Sequence, residues 1–282
     1  MSLSGGLDSV ALAHCLFALK NEEKIADLCF FHANYHLRGH DSDADEKLCR
    51  NLARELGIEI VVGDFNLDIN DSHIQKNARD LRRRALLEIA EKEARIVAMA
   101  HHQDDLFETI LFRLFRGANL KTIMPFGEFD GIVWRPLLTI KKLEILNFIK
   151  TNQIDYRMDT SNLTDIYTRN YIRHKIIPEI SSQFPHAQEK TIQFAHGIQS
   201  LVKELMPHTQ DNRDVVEIPN GVTNEILKIW LYEHIQKRLL KFHTVSDRSL
   251  EKILGEENSF CNISDDFAVR KTSQTLEFIF TQ

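Results

Sequence analysis

The stretch "SLSGGLDSVALAH" (residues 2–14) decides the fold, because a glycine-rich turn runs straight into apolar residues at helical spacing: Val10, Leu12, Leu16 and Leu19. A turn that opens a helix exposes backbone N–H groups, and the helix dipole favours anions there. Glycine lets that backbone approach an anion closely. Ser4, Gly5, Gly6, Leu7, Asp8 and Ser9 therefore suit a phosphate or pyrophosphate group. Bare phosphate would repel Asp8, so its role is expected to run through Mg²⁺. The plainer alternative is a capped turn, with Asp8 or Ser9 as the helix N-cap. The string is neither a GKS/T P-loop nor a GxGxxG turn. A loop of this kind follows a strand at the carboxyl edge of a parallel sheet. A strand needs about five residues, but only Met1–Leu3 precede Ser4. The expectation is a chain that begins late, with most of a central apolar strand encoded upstream.

Working outward, apolar spacing predicts helices over residues 8–20, 42–57, 73–93, 103–115 and 141–152. Strands are predicted over 25–31, 58–65, 95–100 and 132–138. Ser42 or Asp43 is the expected cap of the second helix and Gly57 its stop. Strand–helix alternation of this kind is the pattern of an α/β fold, a doubly wound parallel sheet covered on both faces. Beyond Pro178 the pattern changes to helices near 186–206, 222–239 and 246–254, followed by short strands to the end. The expected domains are residues 1–185 and a smaller α+β domain at 186–282.

The 282 residues are 43% hydrophobic and 27% charged, which is a globular composition. No apolar run is long enough to span a membrane, and no secretory signal is read. Cys15, Cys29, Cys49 and Cys261 lack CxxC spacing, and three of them sit in apolar-periodic segments as expected buried thiols. That usage fits a reducing cytosol rather than a zinc or iron–sulfur site. The formal net charge of −6 counts mildly against nucleic-acid binding. Local clusters run the other way: Lys76, Arg79, Arg82, Arg83 and Arg84 on one helix, and Arg169, Arg173, His174 and Lys175 near Pro178. A third set is Lys237, Arg238, Lys241 and Arg248.

A second constellation lies in "AMAHHQDDLFETILFRLFRG" (98–117), where a strand leads into a helix. Asp105 and Glu108 share one helix face. Two carboxylates turned into a cleft suit a cation, either a metal or an ammonium group. An acidic first turn that merely complements the helix dipole explains one of them, but not His101, His102, Asp104, Asp105 and Glu108 together.

The combination of SGGxDS, HHxDDxxET, "RPLL" (135–138) and "RNYIRHKIIP" (169–178) resembles the tRNA(Ile)-lysidine synthetases, within the PP-loop superfamily of N-type ATP pyrophosphatases. "HANYHLRG" (32–39) and "ARDLRRRALLEIA" (78–90) match segments of that family too, so the resemblance covers about residues 2–180 in order. It implies that O2 of the wobble cytidine in a CAU-anticodon tRNA(Ile) attacks the α-phosphate of ATP. Free L-lysine then attacks C2 and expels AMP, so that the modified tRNA reads AUA as isoleucine.

The resemblance also implies residue roles. Ser4–Ser9 would hold the ATP phosphates, with Asp8 towards Mg²⁺. Asp105, Glu108 and Arg173 would receive lysine, and Arg82 would stabilise charge on the α-phosphate. His101 would contact ATP or accept a proton. The alternative for Arg173 is a structural bridge to a carboxylate such as Asp159. Arg135 is read as structural or tRNA-facing. Arg79, Arg83, Arg84, Arg169 and Lys175 are expected on the tRNA, and a homodimer is the candidate assembly. The rival readings are a tRNA thiolase of the same superfamily, against which the absence of CxxC counts, and a non-catalytic nucleotide- or tRNA-binding protein.

Overall fold

The computed structural model describes residues 1–37, 39–67, 74–117, 126–157, 168–205, 215–218, 221, 223–238, 245–255, 258–264 and 267–280. The chain divides into two compact units, Met1–Phe112 with Pro125–Gln188, and Arg113–Met124 with Glu189–Gln282.

The elements up to residue 151 are, in chain order, α1 (Leu7–Asn21), β1 (Cys29–Asn34), α2 (His40–Leu56), β2 (Glu59–Asp64) and α3 (Ile74–Lys92). They continue with β3 (Val97–Ala98), α4 (Gln103–Phe115), β4 (Phe129–Asp130), β5 (Val133–Trp134) and α5 (Lys142–Thr151). β1 pairs in parallel with β2, β3 in parallel with β5, and β4 closes that edge antiparallel to β5. Met1–Leu3 joins the two sets. Leu3 N donates to Phe31 O at 2.8 Å, Phe31 N to Met1 O at 2.8 Å, and Ser2 N to Ala98 O at 3.0 Å. The loop at Ser4 thus leaves the middle of the sheet, between β1 and β3.

Adjacent residues of β1 serve opposite faces, as the two-residue period requires. Phe30 packs with Leu12, Leu16, Leu52, Ile145 and Ile149 of α1, α2 and α5. Phe31 packs with Leu86, Ala90 and Val97, which brings α3 against the other face.

Several boundaries depart from the sequence reading. β1 begins at Cys29 rather than 25, because Asp27 Oδ1 takes the Leu28 amide at 2.8 Å and ladder pairing to Met1–Leu3 starts only afterwards. α2 begins at His40 behind Gly39, which places Ser42 and Asp43 within its first turns rather than at its cap. Gly57 ends it with φ +63, where glycine pays no side-chain penalty. The strand expected over 132–138 is only Val133–Trp134, because Arg135 N turns to Glu128 O and Pro136 has no amide to continue the ladder. Of the cysteines, Cys49 and Cys261 are buried, whereas Cys15 and Cys29 are only partly so.

A helical segment missed by periodicity follows: α6 (Thr168–Tyr171), a π-helical turn over Ile172–Ile176, and α7 (Ile177–Gln183) with Pro178 in its first turn. Then come α8 (Ala187–Leu205), β6 (Val215–Glu217), α9 (Asn224–Arg238), α10 (Asp247–Gly255), β7 (Phe260–Ser264), β8 (Phe267–Lys271) and β9 (Thr275–Phe280). The second unit holds an antiparallel sheet of order β6-β9-β8-β7. Its core joins Trp230, Leu231 and Ile235 of α9 to Leu250, Ile253, Phe267, Val269, Leu276 and Phe278.

Candidate active site

The Ser4–Ser9 loop is braced from within. Ser9 Oγ accepts from Ser4 N at 3.1 Å, lies 3.0 Å from Ser4 Oγ, and donates to Gly6 O at 2.9 Å. Gly5 takes φ +82, which L side chains rarely adopt. Its carbonyl accepts Arg157 N at 3.0 Å, and the Arg157 guanidinium grips Asp41 and Asp45 of α2 at 2.8 and 2.7 Å. Gly6 caps α1, so the amides of Leu7, Asp8 and Ser9 point out of the first turn without intrahelical acceptors.

Across the sheet edge, His102 caps α4. Its backbone N donates to Asp105 Oδ2 at 3.0 Å, and its Nδ1 accepts Asp105 N at 3.4 Å, the reciprocal pattern of a capping box. His102 Nε2 faces Asp8 Oδ2 at 3.6 Å and Asp105 Oδ2 at 3.5 Å. Burial disfavours charge on His102, but Asp8, Asp105 and Asp104 outweigh burial and raise its pKa. Burial likewise pushes the Asp8 carboxyl up, yet His102, Lys142 and Arg173 hold it below the ordinary carboxylate value. Asp8 Oδ1 is buried with no hydrogen-bond partner.

Glu108 is 2% exposed and carries an arginine on each oxygen. Arg169 Nε donates to Oε1, while Arg173 Nε donates to Oε2 at 2.5 Å. Arg173 Nη2 also reaches Asp105 Oδ1 at 3.1 Å. The His101 ring lies tilted against Phe126 at 5.4 Å between centroids, and burial, with Arg135 and Arg82 nearby, pushes its pKa down to about 4. It is therefore a neutral imidazole at pH 7, with Nδ1 buried and unpartnered.

Residues 1–180 match the PP-loop domain. The chain belongs to the PP-loop family. It is 32% identical over 232 residues to the tRNA(Ile)-lysidine synthase of Bacteroides thetaiotaomicron, covering 80% of this chain and 53% of that protein. It is 36% identical over 198 residues to that of Chlorobaculum tepidum, covering 68% and 60%. To that of Thermosipho africanus it is 35% identical over 219 residues, covering 73% and 50%. The chain thus spans about half the length of the curated relatives it matches. Among solved structures, the U34-tRNA thiolase NcsA from Methanococcus maripaludis shares the fold, with a TM-score of 0.58 and 19% identity over 80% of this chain and 78% of that one.

Asp8, His101, Asp105, Glu108 and Arg173 of this PP-loop chain converge at the carboxyl edge of the sheet. Arg82, half-buried on α3, lies close enough for its charge to act on both His101 and Tyr35. Arg83 and Arg84 are exposed on the same helix, and exposed Arg79 feels repulsion from Arg169 and Arg82. Lys175 is exposed. Arg169, expected on the tRNA, turns its guanidinium to Glu108 and Thr109. Arg173 pairs with Glu108 and Asp105, while the alternative partner Asp159 lies outside the described residues, as does Lys241. Arg135 is 9% exposed, donates to Gly127 O at 3.0 Å and covers the Phe126 ring, a structural placement. Two site residues escaped the sequence reading in these roles, His102 and Arg169. The first carried a legible signal, a polar residue three before Asp105 at the start of an apolar helix.

Proposed function

We propose that this chain is an ATP-dependent ligase that joins free lysine to C2 of the wobble cytidine of a CAU-anticodon tRNA(Ile). The observation that carries the reading is the short path from Asp8 through His102 to Asp105, Arg173 and Glu108. A phosphate loop then lies beside a carboxylate pair, buried Glu108 and partly buried Asp105, as two successive reactions on one base require. The similarity to tRNA(Ile)-lysidine synthases supports the same assignment.

In the first step, O2 of the cytidine attacks the α-phosphate and pyrophosphate leaves. The amides of Leu7, Asp8 and Ser9 hold the departing phosphates, and the Arg82 guanidinium offsets charge on the α-phosphate. Asp8 Oδ1 is an unpaired buried carboxylate oxygen, the hard donor Mg²⁺ takes, and so fits that ion. When bound there, Mg²⁺ would neutralise phosphate charge.

In the second step, the lysine ε-amine attacks C2 and AMP leaves. Each carboxylate oxygen has two lone pairs, so the substrate's ammonium group joins Arg173 on Asp105 and Glu108 rather than replacing it. The amine must lose a proton before it attacks, and neutral His101, made a weak base by burial, can accept the amine N–H as a hydrogen bond that orients it. The base reaches ATP only if flipped out of the anticodon stack. Arg79, Arg83, Arg84 and Lys175 supply positive charge for the RNA backbone.

The test is incubation with unmodified CAU-anticodon tRNA(Ile), ATP, Mg²⁺ and labelled lysine. The expected products are lysine-bearing tRNA, AMP and pyrophosphate. Release of ADP, or label at another tRNA position, overturns the reading.

A further inference from the structure

We propose that Arg169 is a positioning residue for the lysine-dependent step, fixing the separation and charge of the Asp105–Glu108 pair. The inference rests on the ligase reading above and assigns Arg169 a role distinct from RNA contact.

Arg169 is anchored at three points. Its Nε donates to Glu108 Oε1, its Nη2 donates to Thr109 Oγ1 at 2.8 Å, and its guanidinium carbon lies 5.6 Å from the Phe112 ring centre. Thr109 Oγ1 in turn donates to Asp105 O at 2.7 Å, which ties the arginine to the backbone that carries the other carboxylate. A guanidinium fits such a site because its donors form a rigid fork.

Charge makes the same demand. Asp105 and Glu108 bring two negative charges, and Arg173 alone reaches both. With Arg173 as the only guanidinium, buried Glu108 and partly buried Asp105 would carry a net negative charge, which burial penalises. Arg169 balances it. It also takes Glu108 Oε1, leaving Arg173 free to span Oε2 and Asp105 Oδ1. Without Arg169, Arg173 would be drawn onto both Glu108 oxygens and released from Asp105. The two carboxylates would then no longer present one fixed cleft to an ammonium group. The phosphate loop depends on it less, because Asp8 Oδ2 faces His102 Nε2 at 3.6 Å and feels Arg173 only through its charge.

The experiment compares the 282-residue chain with its Arg169→Met and Arg169→Lys variants. Adenylation of the tRNA is measured without lysine, and the lysine KM is measured separately. Arg169→Met should raise the lysine KM by about 30-fold or more, the lower end for truncating one partner of a buried charge pair. Its adenylation rate should stay near that of the unmutated chain. Arg169→Lys keeps the charge without the fork and should recover part of the loss, which also covers a Met variant that does not fold. A parallel fall in adenylation and lysine use, or an unchanged lysine KM in both variants, overturns the proposal. If the unmutated chain adenylates tRNA but never adds lysine, the ligase reading itself has failed, and the Arg169 role falls with it.

Discussion

His102 stands between Asp8 and Asp105: its Nε2 is 3.6 Å from Asp8 Oδ2, while its backbone N and Nδ1 close a capping box with Asp105. One imidazole therefore couples the phosphate loop to the helix that carries the carboxylates. Two substitutions separate its tasks. His102→Ala removes both the cap and the Asp8 contact, and loss of a cap costs about 1 kcal/mol. The melting temperature should drop by roughly 2–4 °C for a unit of this size, and the KM for ATP should rise. Asparagine caps helices well but does not reach Asp8. His102→Asn should therefore recover the melting temperature while leaving the ATP KM raised. An ATP KM equal to that of the unmutated chain in His102→Asn would sink the coupling.

The carboxylate pair should serve the second step. Asp105→Ala or Glu108→Ala should impair lysine use far more than tRNA adenylation, by about 30- to 4000-fold, as expected for breaking a desolvated charge pair. Two assays decide it, release of pyrophosphate without lysine and incorporation of labelled lysine. Loss of adenylation with lysine affinity intact would assign both carboxylates to ATP or metal instead.

How much of this was legible in the sequence follows from the kind of contact involved. α4 at Gln103–Phe115 agrees with the apolar spacing, because its stripe of Leu106, Phe107, Ile110 and Leu111 is local information. β1 was placed too early because burial there is not purely apolar. His32 and Asn34 lie inside, His32 Nδ1 2.9 Å from Leu3 O and Asn34 Nδ2 donating to Glu46 at 2.8 Å. A polarity pattern reads such residues as the strand's end. The segment around Arg173 was recognised as a motif but not as helix, and a π-turn with a proline behind it has no 3.6-residue signature. The candidate site was legible as a set of residues and not as a set of pairs. Glu108 meets Arg169 and Arg173 across more than sixty positions of chain, and only the fold selects which carboxylate each arginine takes.

The two loop glycines should fail differently. Gly5 sits at φ +82, and a Cβ there would meet Cys49 Sγ at 3.5 Å and Asp45 O at 3.6 Å, both ordinary contacts. The penalty of Gly5→Ala is thus backbone strain, about 1–2 kcal/mol, and it should lower the melting temperature together with ATP affinity. Gly6 has φ −77, and a Cβ would find only Ser4 Oγ at 3.5 Å. Gly6→Ala should lose less stability than Gly5→Ala, only the weaker capping of alanine, yet bind ATP less well because the methyl group occupies the approach to the first-turn amides. Equal melting temperatures for the two variants would refute the assignment of strain to Gly5.

His101 should make the fold acid-sensitive. Its pKa falls to about 4 in the folded chain, with burial the main cause and Arg135 and Arg82 adding to it against the pull of Asp105. An unfolded histidine titrates near about 6.5. Between those values the unfolded chain binds a proton that the folded one refuses, so stability is present above pH ~6.5 and is lost as pH falls towards ~4. The full effect is on the order of 3 kcal/mol. His102 works in the opposite sense, because its raised pKa adds stability at low pH that is lost as pH rises through that value. His14 and His32 are lowered by burial like His101, so the unmutated chain reports a sum and a variant is needed. Urea unfolding at pH 7 and pH 4.5 should show a smaller stability difference for His101→Asn than for the unmutated chain, because asparagine has no proton to gain. If the two differences are equal, His101 is not the buried neutral imidazole assigned to this site.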